Sequence, residues 1–172
     1  MRWRPPPQRS SPYITEAGLR RLRAELTGLW PQRREVVAAL SAAAAEGDRS
    51  ENAEYIYRKK QLREMDRRIR YLQKRLDQLQ PVSARPADRT RIFFGAMVEV
   101  EDGEGDCQRY RIVGADEIGD QPEAVSVDSP VARALLGKSV GAEVGLEAPG
   151  GRRCLRVLSV RYPEDDGQDN GA

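Results

Sequence analysis

The feature that most constrains this chain is a pair of apolar runs that fit one antiparallel helical hairpin. Apolar residues recur three or four positions apart over residues 19–43, with Arg33 as a defect, and again over residues 55–79, with Arg58 as a gap. If the chain reverses near Gly47, residues of the two runs pair in layers whose numbers add up to 94 or 95. The spacing therefore predicts an antiparallel coiled coil about 45 Å long.

The flanking sequence indicates where this hairpin begins and ends. Thr15 is a suitable N-cap for the first helix, and the prolines before it prevent an earlier start. Gly28 and Pro31 predict a kink or break within the first helix. The predicted organisation is a flexible basic tail over 1–12, the hairpin over 13–80, a linker over 81–91, a C-terminal domain over 92–162 and a disordered acidic tail over 163–172.

Beyond the linker the pattern changes to short alternating segments, which are typical of half-buried strands. These segments are 96–101, 108–113, 124–128, 142–148 and 154–162. Between the third and the fourth, Ser129 as N-cap, Pro130 as first residue and Gly137 after the end predict a short helix. The C-terminal half is thus expected to be a small antiparallel sheet with one helix, of α+β class.

Composition narrows the classes of function. Residues 1–80 hold 18 Lys and Arg against 10 Asp and Glu, whereas residues 81–172 hold 11 against 17, so the first half suits a polyanionic partner. The chain has no histidine, and Cys107 and Cys154 lack metal-site spacing, so we interpret them as inert thiols. The sequence shows neither a signal peptide nor a membrane span, so we expect a cytoplasmic protein without a membrane partner.

The predicted hairpin tip, "AAAAEGDRSENAEY", carries two carboxylates three positions apart, Asp48 and Glu51. In the first turn of the second helix they would lie about 5–6 Å apart and could share a divalent cation such as Mg²⁺. The same spacing is that of a capping box, in which Asp48 and Glu51 only satisfy backbone N–H groups. Spacing alone favours the cap and leaves the metal interpretation open.

The second helix carries a dense basic stretch directly after the tip. Nine basic residues against three acidic ones over residues 58–77 can follow a phosphate backbone, or can form a solvated flank with internal ion pairs. The candidate RNA-binding residues are Arg58, Lys59, Lys60, Arg63, Arg67 and Arg70.

These motifs resemble the GreA/GreB family of bacterial transcript-cleavage factors. The resemblance covers residues 13–162 and is carried by "GDRSENAEY", "RKKQLREMDRRIRYL", "FFGAMVEVE", "RYRIVGADE" and "SVDSPVARALLGK". It implies a coiled-coil domain that enters the secondary channel of RNA polymerase and an FKBP-like C-terminal domain. A monomer that is not itself an enzyme is expected.

The resemblance also implies roles for the tip residues. Asp48 would be a ligand of a Mg²⁺ ion shared with RNA polymerase, Glu51 would orient the attacking water, and the basic stretch would guide the 3′ segment of the nascent RNA. Two alternatives remain: a competitor that occupies the same channel without chemistry, and a coiled-coil adaptor or nucleic-acid-binding protein.

Overall fold

The computed structural model describes residues 9–49, 51–83, 85–119 and 121–163. The chain divides into two compact units, of which one is Leu19–Leu79 and the other is the remainder. The predicted acidic tail and most of the predicted basic tail lie outside the described residues. In the part of the chain that the structure describes, none of the helices has the length and apolar content that a membrane span requires.

The first unit is the predicted helical hairpin. It consists of most of helix α1 (Glu16–Ala45) and all of helix α2 (Ala53–Leu76). Thr15 caps α1 as expected, because its hydroxyl oxygen accepts from the N–H of Gly18 at 2.9 Å. Of the predicted kink or break near residues 28 to 31, the break is wrong, since α1 continues without interruption through Pro31. A proline removes only one donor from the ladder, and the bonds on both sides hold the helix together.

The apolar seam is confirmed by the burial of its side chains. The most buried seam side chains include Leu22, Val36, Ile69 and Leu72. Arg33, which interrupts the apolar spacing of α1, forms an ion pair across the hairpin. Its Nε lies 2.6 Å from Oδ1 of Asp66 on α2. A polar residue on the seam therefore has a charged partner across it.

The second unit is built on a five-stranded sheet. Its strands are β3 (Met97–Asp102), β4 (Cys107–Val113), β5 (Ala124–Ser126), β6 (Glu143–Ala148) and β7 (Gly151–Arg161), in the order β5-β4-β3-β7-β6. A separate parallel pair joins β1 (Tyr13–Thr15) to β2 (Gln80–Val82). The prediction of an antiparallel sheet holds for three of the four pairings, whereas β4 and β5 run parallel. Alternating hydrophobicity locates strands but does not report their direction.

The sheet packs one face against the short helix α3 (Pro130–Leu135). Ser129 caps this helix by accepting from the N–H of Ala132 at 3.2 Å, and Gly137 follows its end with a φ of 78°. Both features confirm the predicted boundaries, because the residue after a helix often adopts a left-handed conformation that favours glycine.

A buried carboxylate ties the start of the chain to this sheet. Glu117 belongs to a 3-10 helix (Ala115–Glu117) and is 4% exposed. Its carboxylate accepts from the N–H of Thr15 at 3.1 Å, from the Thr15 hydroxyl and from the N–H of Gly114 at 2.8 Å. In addition, Ser11 donates from its N–H to Asp128 at 2.8 Å, so contacts with the turn that follows β5 begin before β1.

Candidate functional site at the hairpin tip

The tip is a short loop between the end of α1 at Ala45 and the start of α2 at Ala53. Gly47 has a φ of 130°, a conformation that side-chain-bearing residues rarely adopt, so the reversal occurs where the sequence predicted it. Asp48 and Glu51 both lie in this loop and are exposed. The two carboxylates are therefore presented to solvent at one end of the hairpin.

Neither carboxylate caps α2, and the predicted capping box is wrong. The N-cap is Asn52, whose side-chain oxygen accepts from the N–H of Tyr55 at 3.1 Å. Asn and Asp cap helices about equally well, so a sequence with several capping residues in a row does not show which of them is used. Because the helix begins after Glu51, the separation expected for one helical turn does not apply to the acidic pair.

Two basic residues, one in the loop and one in α2, lie near the ring of Tyr55. The guanidinium carbon of Arg49 lies 5.8 Å from the centre of the Tyr55 ring, and Nζ of Lys59 lies 5.7 Å from it. These distances are within the range of cation–π attraction. Tyr55 is half-buried on the seam, as its spacing predicted, and also holds two cations near the loop.

Four of the six candidate RNA-binding residues share one face of α2. This outer basic face consists of Lys60, Arg63, Arg67 and Arg70. Each of the four precedes a seam residue by two positions. Two positions correspond to a rotation of about 200° around the helix, so the four side chains lie opposite the seam, and each is exposed. In the described parts of the chain, no carboxylate forms an ion pair with any of the four. Their charge is thus available to an outside partner.

Arg58 departs from this set. It is half-buried, its Nε lies 2.7 Å from Oε1 of Glu54, and it donates to Gln61 at 3.2 Å. These contacts lie within α2, so the solvated-flank interpretation describes Arg58. Arg68, in the same basic stretch, forms a two-bond pair with Glu25 on α1, at 2.6 and 2.9 Å. The basic stretch therefore contains residues that are paired within the hairpin, Arg58 and Arg68, as well as the outer basic face.

The acidic pair could supply only part of the ligand set of a metal ion, because it offers two carboxylates. Over the described residues, no group of three or more Asp, Glu, Cys or His side chains comes together. Two carboxylates supply the oxygen ligands that Mg²⁺ prefers, and the remaining positions are commonly filled by water and phosphate. A cation at the tip would therefore need further ligands from water or from another molecule.

Comparison with known proteins identifies the family of this chain. Residues 12–80 match the family model described as "Transcription elongation factor, N-terminal", and residues 87–162 match "Transcription elongation factor, GreA/GreB, C-term". The chain belongs to the GreA/GreB family of transcription elongation factors. It is similar to the transcription elongation factor GreB of Xanthomonas axonopodis pv. citri, with 57% identity over 94% of this chain and 97% of the relative.

Further similar proteins carry related descriptions. The transcription elongation factor GreB of Pseudomonas aeruginosa PAO1 is 53% identical over 94% of this chain and 97% of its own length. Among solved structures, Gfh1 of Thermus thermophilus is 27% identical over 87% of this chain and 97% of that chain, with a TM-score of 0.38. A GreA/GreB factor from Nitrosomonas europaea is 20% identical over 88% of this chain and 100% of that chain, with a TM-score of 0.41.

Proposed function

We propose that this protein stimulates cleavage of backtracked nascent RNA by RNA polymerase. The hairpin would enter the secondary channel of the polymerase and bring Asp48 and Glu51 to its active centre. The protein would act as a cofactor that supplies two carboxylates, while the polymerase supplies the rest of the site. Elongation complexes arrested by backtracking would then resume synthesis.

The observation that carries this proposal is the exposure of both carboxylates in the tip loop, outside any helix. The N-cap of α2 is supplied by Asn52, so Asp48 and Glu51 are not needed to cap this helix. Exposed carboxylates in a loop held between two helices can approach a partner with little loss of packing. Their position suits ligands that complete a site in another molecule.

Asp48 would hold a Mg²⁺ ion and Glu51 would orient or deprotonate the attacking water. When bound, the ion supplies positive charge that stabilises the negative charge developing on the phosphate and activates water. The side chains of this protein contribute the oxygen ligands and the geometry. Since two carboxylates alone bind Mg²⁺ weakly, the function depends on docking.

The outer basic face would follow the phosphates of the extruded RNA 3′ segment. Its four cations are exposed and have no ion-pair partner among the described residues, so binding RNA breaks no internal salt bridge. Contacts with phosphate depend on charge and not on base identity, so this guidance would be independent of RNA sequence.

The decisive experiment measures RNA cleavage in purified backtracked elongation complexes with the wild-type protein, Asp48→Asn and Glu51→Gln. Each substitution should lower the stimulated cleavage rate at least 100-fold, which is the order of loss for one electrostatic group aimed at a transition state. Polymerase binding, measured by competition, should stay unchanged. Because neither residue caps α2, neither substitution removes a helix cap, so both variants should remain folded.

The same assay separates the alternatives. A competitor without chemistry would bind the polymerase and slow synthesis while leaving cleavage unstimulated in the wild type. An adaptor would bind RNA polymerase, and Asp48→Asn would change neither its binding nor the rate of RNA cleavage.

Charge reversal at Arg63 and Arg67 tests the outer basic face. It should slow cleavage more for long extruded RNA than for short extruded RNA, and equal effects would contradict guidance by the outer basic face.

A further inference from the structure

One half-buried amide connects the ends of both helices at the tip. Oδ1 of Asn52 accepts from the N–H of Tyr55 at 3.1 Å, in the first turn of α2. Nδ2 of the same side chain donates to the carbonyl oxygen of Ala43 at 2.9 Å, in the last turn of α1. Asn52 therefore closes the loop that contains Asp48 and Glu51.

The two bonds fix the orientation of the amide. A flipped side chain would direct its NH₂ group at the N–H of Tyr55 and its oxygen at the carbonyl of Ala43. Both contacts would then be repulsive. Only an amide offers an acceptor and a donor at this position, because aspartate lacks the donor and serine is too short to keep both bonds.

The bonds also sit where the loop would otherwise be free to move. Ala43 is 3% exposed and belongs to the packed seam, whereas the loop residues from Glu46 to Glu51 are exposed where they are described. Asn52 directly follows Glu51, so its attachment to α1 restricts where the Glu51 backbone can lie. A group bonded to both helices transfers their rigidity to the loop between them.

We infer that Asn52 is the positioning residue of the acidic pair, which it holds in the geometry required for cleavage through its bond to Ala43. This inference rests on the proposed function of Asp48 and Glu51. Displacement of a reacting group by about 1 Å can cost 100-fold in rate. Loss of the bridge should therefore reduce cleavage while both carboxylates remain present.

The test compares Asn52→Asp and Asn52→Ser with the wild type. Both variants keep an acceptor for the N–H of Tyr55, and both lose the donor to Ala43. The serine variant adds no charge, and Gln73→Glu, at an exposed position of α2, is the control for an amide-to-acid change. The measurements are the cleavage rate at saturating protein over a range of Mg²⁺ concentrations, polymerase binding and helix content.

We expect both Asn52 variants to bind the polymerase normally and to cleave about 10- to 100-fold more slowly, with a higher half-saturating Mg²⁺ concentration. Gln73→Glu should match the wild type. Normal cleavage with a normal Mg²⁺ dependence in the Asn52 variants would overturn the inference. Weaker binding or lower helix content together with a normal Mg²⁺ dependence would also overturn it, because Asn52 would then serve stability alone.

The proposed function and this inference fail in different ways. If the wild-type protein does not stimulate cleavage, or if Asp48→Asn leaves it intact, the proposed function is wrong and the inference falls with it. If Asp48→Asn abolishes cleavage and Asn52→Ser does not change it, the inference alone is wrong.

Discussion

Carboxylates in two regions of this protein have opposite environments. At the hairpin tip, Asp48 and Glu51 are exposed in a loop outside the helices. In the sheet unit, Glu117 is 4% exposed and accepts hydrogen bonds from Thr15 and Gly114. The same chemical group is thus exposed to solvent in one region and buried with hydrogen-bond donors around it in the other.

The difference shows why the number of carboxylates does not indicate function. A buried carboxylate is stable only when hydrogen bonds replace its hydration, and Glu117 obtains these bonds from backbone and hydroxyl donors. Once bonded in this way it has little capacity for an outside ligand. An exposed carboxylate keeps its hydration until a partner replaces it, which suits a site completed by another molecule.

The largest stability effect should follow Glu117→Ala. It leaves the N–H groups of Thr15 and Gly114 without this acceptor, and each buried unsatisfied group costs about 1–3 kcal/mol, so we expect a loss of about 3 kcal/mol. Urea denaturation of the variant and of Glu51→Ala measures the contrast. Glu51→Ala should stay within about 0.5 kcal/mol of the wild type. If the two substitutions lowered the free energy of unfolding equally, the distinction between the buried carboxylate of Glu117 and the exposed carboxylate of Glu51 would be wrong.

A smaller effect should follow Gly18→Ala, which tests how closely the chain packs on Glu117. A Cβ at Gly18 would lie 2.2 Å from Oε1 of Glu117, a distance that forces the carboxylate to move. Overpacking costs about 1–3 kcal/mol, and the better helix propensity of alanine returns up to about 1 kcal/mol. We therefore expect a net loss of about 1 kcal/mol in the free energy of unfolding, measured by urea denaturation.

Gly28→Ala is the matched control within the same helix. A Cβ there meets nothing within 4 Å, so this substitution should stabilise the protein by about 0.5–1 kcal/mol. Combining Gly18→Ala with Glu117→Ala should turn the loss at Gly18 into a gain, because the clashing carboxylate is gone. A loss at Gly18 that persists in the double variant would show that the carboxylate is not its cause.

The hairpin could be predicted from sequence because its contacts repeat. Apolar spacing locates both helices, and the constant sum of paired residue numbers gives their register, which the bridge from Asn52 to Ala43 matches. The caps at Thr15 and Ser129 were also predictable, because each precedes a helix whose start is otherwise unambiguous. Sequence patterns therefore predict a helix cap correctly where a single residue at the helix start can serve as the N-cap.

Long-range bonds and crowded loops were not predictable in this way. The partners of Glu117 include Thr15, 102 positions away, and no spacing rule relates two such positions. At the tip, Asp48 and Asn52 both suit an N-cap, and only the structure shows that Asn52 is used. Strand direction in β4 and β5 was missed because parallel and antiparallel strands share one alternating pattern.

The smallest expected effect on stability concerns Glu25, on the surface of the hairpin. Its carboxylate is bonded within the protein, as that of Glu117 is, but it is partly exposed to solvent. The hydrogen bond and the positive charge of Arg68 hold the pKa of Glu25 below its ordinary value of 4.5. A depressed pKa means that the pair stabilises the fold above pH 4.5 and that this stabilisation is lost as the pH falls through the folded-state pKa. Because the side chains are 37% and 43% exposed, solvent screens the pair and its contribution should stay below about 1 kcal/mol.

Glu25→Gln should accordingly be slightly less stable than the wild type at pH 7 and equal to it at the acidic end, where Glu25 is protonated in both folded and unfolded states. Urea denaturation from pH 7 to pH 3 measures the difference, and 1 M salt should reduce it. A difference that grows as the pH falls would contradict the sign of the pKa shift. Glu25→Gln should leave RNA cleavage unchanged, because Glu25 is bonded within the hairpin and does not lie at its tip. A loss of cleavage in this variant would contradict the distinction between the tip carboxylates and those bonded within the protein.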